Sequence, residues 1–145
     1  VLNDFCIPFE INALSAHRTP AEVESFAKNA QKRGIEVIIA GAGMAAHLPG
    51  VIAAMTPIPV IGVPINASLD GMDALLAIAQ MPPGIPVATT AINGAMNAGI
   101  LAAQILAIGD NALKAKIVDF KESLKKKIVD ANNELAKVKY DYKTN

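Results

Sequence analysis

The sequence predicts an α/β protein built on a parallel sheet, and two observations lead to that class. Short apolar runs rich in β-branched residues alternate along the chain with stretches that carry helix start and stop signals. The connections between them are short, and strict strand–helix alternation with short connections gives parallel strands with helices on their faces. We therefore expect one domain over residues 1–145, with an α/β core in residues 1–108 and a C-terminal helical segment in residues 109–145.

Each predicted strand is an apolar run bounded by Pro, Gly or polar residues. The four predicted strands are Ile7–Leu14, Ile35–Ala40, Pro59–Val63 and Pro86–Ala91. Ahead of them, Val1–Phe5 has the spacing of the last turn of a helix.

The predicted helices follow the strands. The first has the clearest signals, because Thr19-Pro20-Ala21-Glu22 is a capping box with proline at the first helical position. Gly34 is expected to end that helix after Arg33. The next three are expected at about His47–Met55, Asp70–Gln80 and Asn93–Ala107.

Two C-terminal helices predict contacts between subunits. Beyond Gly109, apolar residues recur every three or four positions, which indicates an amphipathic helix of about 28 residues, roughly 42 Å long. Such a helix is longer than its own domain, so we expect some of its apolar stripe to pack on another subunit. The helix before it has small residues on two faces, which suits close neighbours on both sides. These residues are Gly94, Ala98 and Ala102 on one face and Gly99, Ala103 and Ala107 on the other.

Composition excludes several classes of partner. Hydrophobic residues make up 52% of the chain, more than the interior of a small monomer readily holds, so a homo-oligomer is expected. A net charge of zero argues against nucleic acid or an anionic membrane surface. The longest uncharged run is broken by prolines, so no stretch reaches the roughly 20 apolar residues of a membrane span. The single cysteine, Cys6, excludes an intrachain disulfide, suits a cytoplasmic protein, and is expected to be a small core residue.

The first candidate for a ligand-binding segment is a run with almost no side-chain bulk, Gly41 to Ala46. Glycine and alanine let backbone N–H groups approach an anion, and the following helix presents its positive end there. Tight packing of a helix on a strand also needs glycines, so a Gly-x-Gly motif alone leaves both interpretations open.

The second candidate is the pair His17 and Arg18. Ligand sites of parallel sheets lie at the carboxyl ends of the strands, where this pair follows the first predicted strand. An isolated cation is disfavoured just before a helix N-terminus, so packing alone does not explain the pair. Arg18 suits a phosphate or carboxylate, and His17 can transfer protons near neutral pH. An exposed or capping role is the alternative for His17, and anchoring of its loop by hydrogen bonds is the alternative for His47.

These strings resemble a known family. Ala40 to Gly50 is similar to the small-residue loop of the bacterial 5-(carboxyamino)imidazole ribonucleotide mutases, also called AIR carboxylases, and Ser15 to Pro20 resembles a second signature of that family. Met44 departs from the pattern, which has a third glycine there. Further similar strings extend the resemblance over about residues 7–108; they are Pro59–Pro64, Gln80–Pro82, Pro86–Thr89 and Asn97–Gly99.

The resemblance implies both a fold and a reaction. The fold is a flavodoxin-like, three-layer αβα subunit in a homo-octamer, with sites between subunits and neither metal nor organic cofactor. The reaction belongs to purine biosynthesis and moves a carboxylate from an exocyclic nitrogen to the neighbouring ring carbon of an aminoimidazole ribonucleotide. His17 would be the proton shuttle, and carbon dioxide would be an intermediate held by the enzyme. The residues implied in substrate binding are Ser15, Ala16, Arg18, Gly41, Ala42, Gly43, Ala45, Ala46, His47 and Leu48.

Two other functions stay open at this stage. One is direct carboxylation of the unmodified ribonucleotide by free carbon dioxide. The other is a non-catalytic, flavodoxin-like module that binds a phosphorylated ligand.

The resemblance also predicts that an N-terminal strand is missing from this chain. In a flavodoxin-like order that strand would lie between the ones predicted at Ile7–Leu14 and Ile35–Ala40. A family motif of the form Gly-Ser-x-Ser-Asp, which would follow it, has no match in the 145 residues.

Overall fold

The computed structural model describes residues 1–145 and confirms the α/β class. The strands are β1 Ile38–Gly43, β2 Val60–Ile65 and β3 Ala88–Thr89. They are parallel and form one sheet in the order β1-β2-β3, with β1 paired to β2 from Ile38↔Val60 to Gly43↔Ile65. The helices are α1 Pro20–Ala30, α2 Leu48–Ala53, α3 Met72–Ala79, α4 Ala95–Leu106 and α5 Asn111–Lys137, with short 3-10 turns at Gln31–Arg33 and Leu69–Gly71.

Helices cover both faces of the sheet. Alternate residues of β2 point to opposite sides, so they pack against different helices. Val60 packs in one cluster with buried residues of α1 and α2. Ile61 and Val63 pack on the opposite face, in a cluster with Ala98 and Ala102 of α4. The arrangement is therefore the expected flavodoxin-like αβα sandwich.

Helix α3 packs directly on β2 at Gly62. A Cβ atom at this position would lie 2.3 Å from Ile78 Cγ2 and 3.1 Å from Val87 Cγ1. The carbonyl of Gly62 also accepts hydrogen bonds from the N–H and the hydroxyl of Thr90, at 3.0 and 3.2 Å. Gly62 thus sets the position of both α3 and the segment that leaves β3.

Both small-residue faces of α4 are used inside the chain, which corrects the argument that one of them requires another subunit. One face, with Ala98 and Ala102, meets the sheet. The other, with Ala103 and Ala107, packs in a cluster with Phe5 and the start of α5. The neighbour on this second face is α5 of the same chain, through Leu113 and Ile117.

Helix α5 leaves the domain after its first ten residues. Asp110 caps its N-terminus by accepting hydrogen bonds from the N–H groups of Ala112 and Leu113. Phe120 stacks edge-on against Phe5, with ring centroids 5.5 Å apart. Every residue from 121 to 137 is exposed, including apolar ones at helical spacing, namely Leu124, Ile128 and Leu135. None of the helices is both long and apolar enough to cross a membrane.

The segment Ile7–Leu14 does not form the predicted strand. The segment is extended, yet from Pro8 to Leu14 no backbone N–H or carbonyl makes a backbone hydrogen bond. An extended segment becomes a strand only when a neighbour supplies the ladder, and none lies within reach here. Ahead of it, Phe5 N–H donates to the carbonyl of Val1 at 3.1 Å, which makes the predicted single turn.

Other predictions differ from the structure in detail. Strand β1 starts three residues late, since its pairing begins only where β2 begins. The capping box at α1 does not form, because the Thr19 hydroxyl bonds with the N–H and carbonyl of Ser15 instead. Cys6 is exposed rather than buried.

Candidate active site

The turn before α1 holds the first group of predicted site residues, Ser15 to Arg18. The Ser15 carbonyl accepts a hydrogen bond from Thr19 N–H at 2.9 Å, and the Ser15 hydroxyl accepts one from Arg18 N–H at 3.2 Å. These bonds close a tight turn that leaves both His17 and Arg18 exposed. The Arg18 side chain takes part in none of the ion pairs of the chain, so its guanidinium is free for a ligand.

The two histidines of the chain, 30 residues apart, meet at this edge of the sheet. His17 Nε2 lies 2.9 Å from His47 Nδ1, and the rings stand nearly perpendicular with centroids 5.0 Å apart. A hydrogen bond at this distance needs a proton on one of the two nitrogens and a lone pair on the other. The contact therefore defines a single shared proton position, open to solvent.

The small-residue segment is divided between a strand and a loop. Gly41, Ala42 and Gly43 are the last residues of β1 rather than members of a loop, because they continue the pairing with β2. The loop proper runs from Met44 to His47.

The amides in that loop are not all available. Ala46 N–H donates to the Met44 carbonyl at 2.8 Å, and His47 N–H donates to the Ala45 carbonyl at 2.7 Å. The N–H groups of Met44 and Ala45 make no such bond, so they are the loop donors that a ligand could use. Ala46 itself is 2% exposed and packs with Ala74 and Ile78, which leaves no room for a larger side chain.

Leu48 occupies a different place from the rest of the predicted set. It is the first residue of α2, half-buried against the cluster between that helix and the sheet. Its side chain thus packs in the core, while the preceding residue, His47, reaches the site.

A sequence model of AIR carboxylase matches residues 1–127 of the chain. The chain belongs to the AIR carboxylase family. It is 52% identical over 141 residues to an N5-carboxyaminoimidazole ribonucleotide mutase of Thermotoga maritima, a match that covers 97% of this chain and 82% of that protein. The corresponding mutase of Pyrococcus abyssi is 57% identical over 127 residues, covering 87% and 73%.

Two further relatives extend these matches. A phosphoribosylaminoimidazole carboxylase of Schizosaccharomyces pombe is 52% identical over 139 residues, which cover 95% of this chain but 25% of that protein. The crystal structure of Treponema denticola PurE superimposes with a TM-score of 0.78 at 27% identity, over 92% of this chain and 84% of that one.

Met44 is strained in this member of the AIR carboxylase family. Its φ of 57° lies in the left-handed region, which disfavours an L-residue, and its side chain is 60% exposed in the loop that leads to His47. The third glycine expected here from the resemblance would adopt the same backbone angle without that cost.

Asn93 makes a pair of hydrogen bonds between two loops at this edge of the sheet, which was not predicted from the sequence. The Asn93 side-chain carbonyl accepts a hydrogen bond from Asn66 N–H at 3.0 Å, and Asn93 N–H donates to the Pro64 carbonyl at 2.8 Å. These bonds tie the loop after β2 to the loop after β3. The dipeptide Asn93-Gly94 was the available signal, because asparagine tolerates the left-handed φ of 58° found here.

Proposed function

We propose that this AIR carboxylase family member converts 5-(carboxyamino)imidazole ribonucleotide into 4-carboxy-5-aminoimidazole ribonucleotide, as a mutase of purine biosynthesis. The observation that carries the proposal is the meeting of His17 and His47 beside a loop with free amides. The names of the Thermotoga maritima and Pyrococcus abyssi relatives support the same reaction.

The first half of the reaction is a decarboxylation. Protonated His17 gives a proton to the carbamate nitrogen, the bond from that nitrogen to the carboxylate carbon breaks, and carbon dioxide leaves. The electron pair of the broken bond stays on the nitrogen, so the products are a neutral amine and carbon dioxide. Neutral His17 remains.

The second half returns the carbon dioxide to the ring. The ring carbon next to the amine is enamine-like and attacks carbon dioxide, which forms the new carbon–carbon bond. Neutral His17 then removes the proton from that same carbon, which restores the aromatic ring and the starting state of the enzyme. Atoms and charge balance without any oxidant or added group.

The remaining residues would bind and orient the substrate. The free Arg18 guanidinium suits the substrate phosphate, and Ser15 and Ala16 shape the turn that presents it. The amides of Met44 and Ala45 would hold the carboxylate or carbon dioxide, and the lack of side-chain bulk at Gly41, Ala42, Gly43 and Ala46 would let it approach the backbone.

His47 would act through His17 rather than on the substrate. With Nδ1 of His47 at 2.9 Å from His17 Nε2, it fixes the orientation of the His17 ring and a single position for the shared proton. The His17 Nδ1 atom is then the one left to face a ligand. His47 is therefore a positioning residue in this proposal.

The deciding experiment compares the same substitution at both rings. His17→Asn should lose on the order of 10²-fold or more in kcat while keeping the affinity for the ribonucleotide product. His47→Asn should lose roughly 10-fold, because the proton-transfer group is still present. A His17→Asn enzyme with most of its activity would refute the assignment, and loss of product binding in that variant would indicate a binding role only.

Direct carboxylation is the second candidate, and the name of the Schizosaccharomyces pombe relative favours it. The two activities differ in their need for free carbon dioxide. In bicarbonate-free buffer a mutase turns over the carboxyamino ribonucleotide, whereas a carboxylase supplied with the unmodified ribonucleotide does not react. Activity that appears only when bicarbonate is added to the unmodified ribonucleotide would favour the carboxylase.

We further propose a homo-oligomer, and specifically an octamer, with α5 at the contacts between subunits. The support from this chain is the exposed apolar stripe of α5 beyond Phe120, of which Leu124 is 48% and Ile128 70% exposed. Light scattering at micromolar concentration should give the mass of an octamer. A stable monomer would contradict the proposal.

A further inference from the structure

Met44 is the most accessible of the five methionines of the chain. Its side chain, at 60%, is more exposed than those of Met96 and Met72, whereas Met55 and Met81 are half-buried. Oxidation of a methionine to the sulfoxide turns a flexible apolar side chain into a polar one. An oxidant in solution therefore meets the sulfur of Met44 ahead of the two half-buried ones.

The Met44 side chain makes no contribution to the packing of the fold. It belongs to none of the apolar clusters of the core, and its φ of 57° is unfavourable for an L-residue. The backbone just before it is closely held, since a Cβ atom on Gly43 would lie 2.9 Å from the Cβ of Ala67. A strained residue without packing contacts points to a role other than stability.

This side chain stems from the Cα atom that separates the two unused donors of its loop. The N–H groups of Ala46 and His47 donate to the Met44 and Ala45 carbonyls, whereas the N–H groups of Met44 and Ala45 themselves make no backbone hydrogen bond. One of these free N–H groups lies on each side of the Met44 Cα. A ligand held by both is within reach of the Met44 side chain, which turns about three bonds.

We propose that Met44 is an oxidation site through which a peroxide weakens binding of the carboxylate end of the substrate. Hydrogen peroxide transfers one oxygen atom to Met44 Sδ: the O–O bond breaks, a sulfur–oxygen bond forms, and water leaves. The sulfur is oxidised to the sulfoxide, and the peroxide oxygen is reduced. This proposal rests on the part of the proposed function that assigns the amides of Met44 and Ala45 to the carboxylate.

The sulfoxide competes with the substrate for the same donors. A thioether is a weak hydrogen-bond acceptor, whereas the oxygen of a sulfoxide is a strong one. On its flexible stem beside two free N–H groups, this oxygen accepts a hydrogen bond from one of them and takes the place of a carboxylate oxygen. A glycine at position 44 offers no atom to oxidise, so the sensitivity is specific to a chain with methionine there. Methionine sulfoxide reductases restore the thioether.

The test measures the binding of two ribonucleotides before and after treatment with hydrogen peroxide. One is 4-carboxy-5-aminoimidazole ribonucleotide, and the other is the same ribonucleotide without the carboxylate. Every variant carries Cys6→Ser, because the exposed thiol of Cys6 is also oxidised. Met44→Leu keeps the apolar bulk without the sulfur, and Met96→Leu removes the next most exposed thioether. Peptide mass spectrometry measures the oxidised fraction at each methionine.

Oxidation of Met44 should raise the Kd of the carboxylated ribonucleotide roughly 10-fold and leave that of the other within about 2-fold. Met96→Leu should respond like the parent, Met44→Leu should not respond, and reductase treatment should restore the affinity. Equal weakening of both ligands, or the same loss in Met44→Leu, would overturn the proposal, because it would indicate general damage. Resistance of Met44 to the peroxide, or an unchanged Kd once it is oxidised, would overturn it as well.

Binding constants keep this result separate from the proposed reaction. A chain that shows the expected shift in Kd yet does not convert the carboxyamino ribonucleotide would refute the mutase activity and support the oxidation site. A chain that converts it and shows no shift would do the reverse.

Discussion

Substitution of Gly62 by alanine should destabilise the fold because α3 lies against this position. The added Cβ would lie 2.3 Å from Ile78 Cγ2, more than 1 Å inside the roughly 3.5 Å optimum for two carbon atoms. Ile78 is 1% exposed, so its side chain has no free volume in which to move. Either α3 shifts or the rotamer of Ile78 changes, and both also disturb the contact with Val87.

The expected size of the effect is about 2 kcal/mol in the free energy of unfolding. Overpacking of a closed core costs about 1–3 kcal/mol, and a contact this short belongs at the upper end of that range. Alanine returns roughly 0.4–1 kcal/mol by restricting the unfolded chain. For a domain of this size the net loss corresponds to a fall of roughly 6 °C in Tm.

Gly41→Ala is the matched control, since Gly41 lies in the neighbouring strand and also has no positive φ. Its added Cβ would meet Ile65 Cδ1 at 3.6 Å, an ordinary contact. Urea denaturation of both variants and of the parent chain decides the matter. If the two variants unfold at the same urea concentration, the inference that α3 packs tightly against Gly62 is refuted.

Three further predictions concern the site loop, the long helix and one ion pair. Met44→Gly should change the free energy of unfolding by less than about 1 kcal/mol, because relief of the left-handed φ offsets the greater freedom of glycine in the unfolded chain; a loss above about 2 kcal/mol in urea denaturation would contradict this. Leu124→Asp should lower the oligomer mass in light scattering and leave the far-ultraviolet circular dichroism of the subunit unchanged, and an unchanged mass would exclude this stretch of α5 from the contacts. The pKa of Glu24 is lowered by a hydrogen bond from Lys28 and by the charge of Lys28, so the small stabilisation is present above the pKa of the unfolded chain and is lost as pH falls through the folded value. Lys28→Ala should raise the pKa of Glu24 measured by NMR, and an unchanged pKa would show that the pair does not form in solution.

The order of helices and of the paired strands could be predicted from the sequence, since it rests on local signals. Gly34, with φ of 80°, ends the first helical segment as expected, and the paired strands β1 and β2 follow the apolar runs that predict them. The strand at Ile7–Leu14 could not be judged in the same way. Its alternation describes the segment alone, whereas a strand also depends on a neighbour that no local pattern reports.

The position of the candidate site could be predicted from the sequence, but most of the contacts between its residues could not. Both histidines were expected at the carboxyl edge of the sheet, but their contact at 2.9 Å depends on the lengths of α1 and β1 together. The engagement of the Ala46 amide with Met44 likewise arises from loop geometry rather than residue type. Asn93 was overlooked because its role is a bond between two loops that are distant in sequence.

The contact between His17 and His47 makes helix α1 a spacer of fixed length. The only covalent path from one imidazole to the other runs through α1, the turn at Gln31–Arg33 and β1. One residue inserted into a helix turns everything beyond it by about 100° and moves it about 1.5 Å, enough to separate a pair of atoms held at 2.9 Å. The contact therefore constrains the number of residues between His17 and His47 more than their identity. Substitutions on the exposed side of α1 leave the contact intact, whereas insertions or deletions between the two histidines would break it.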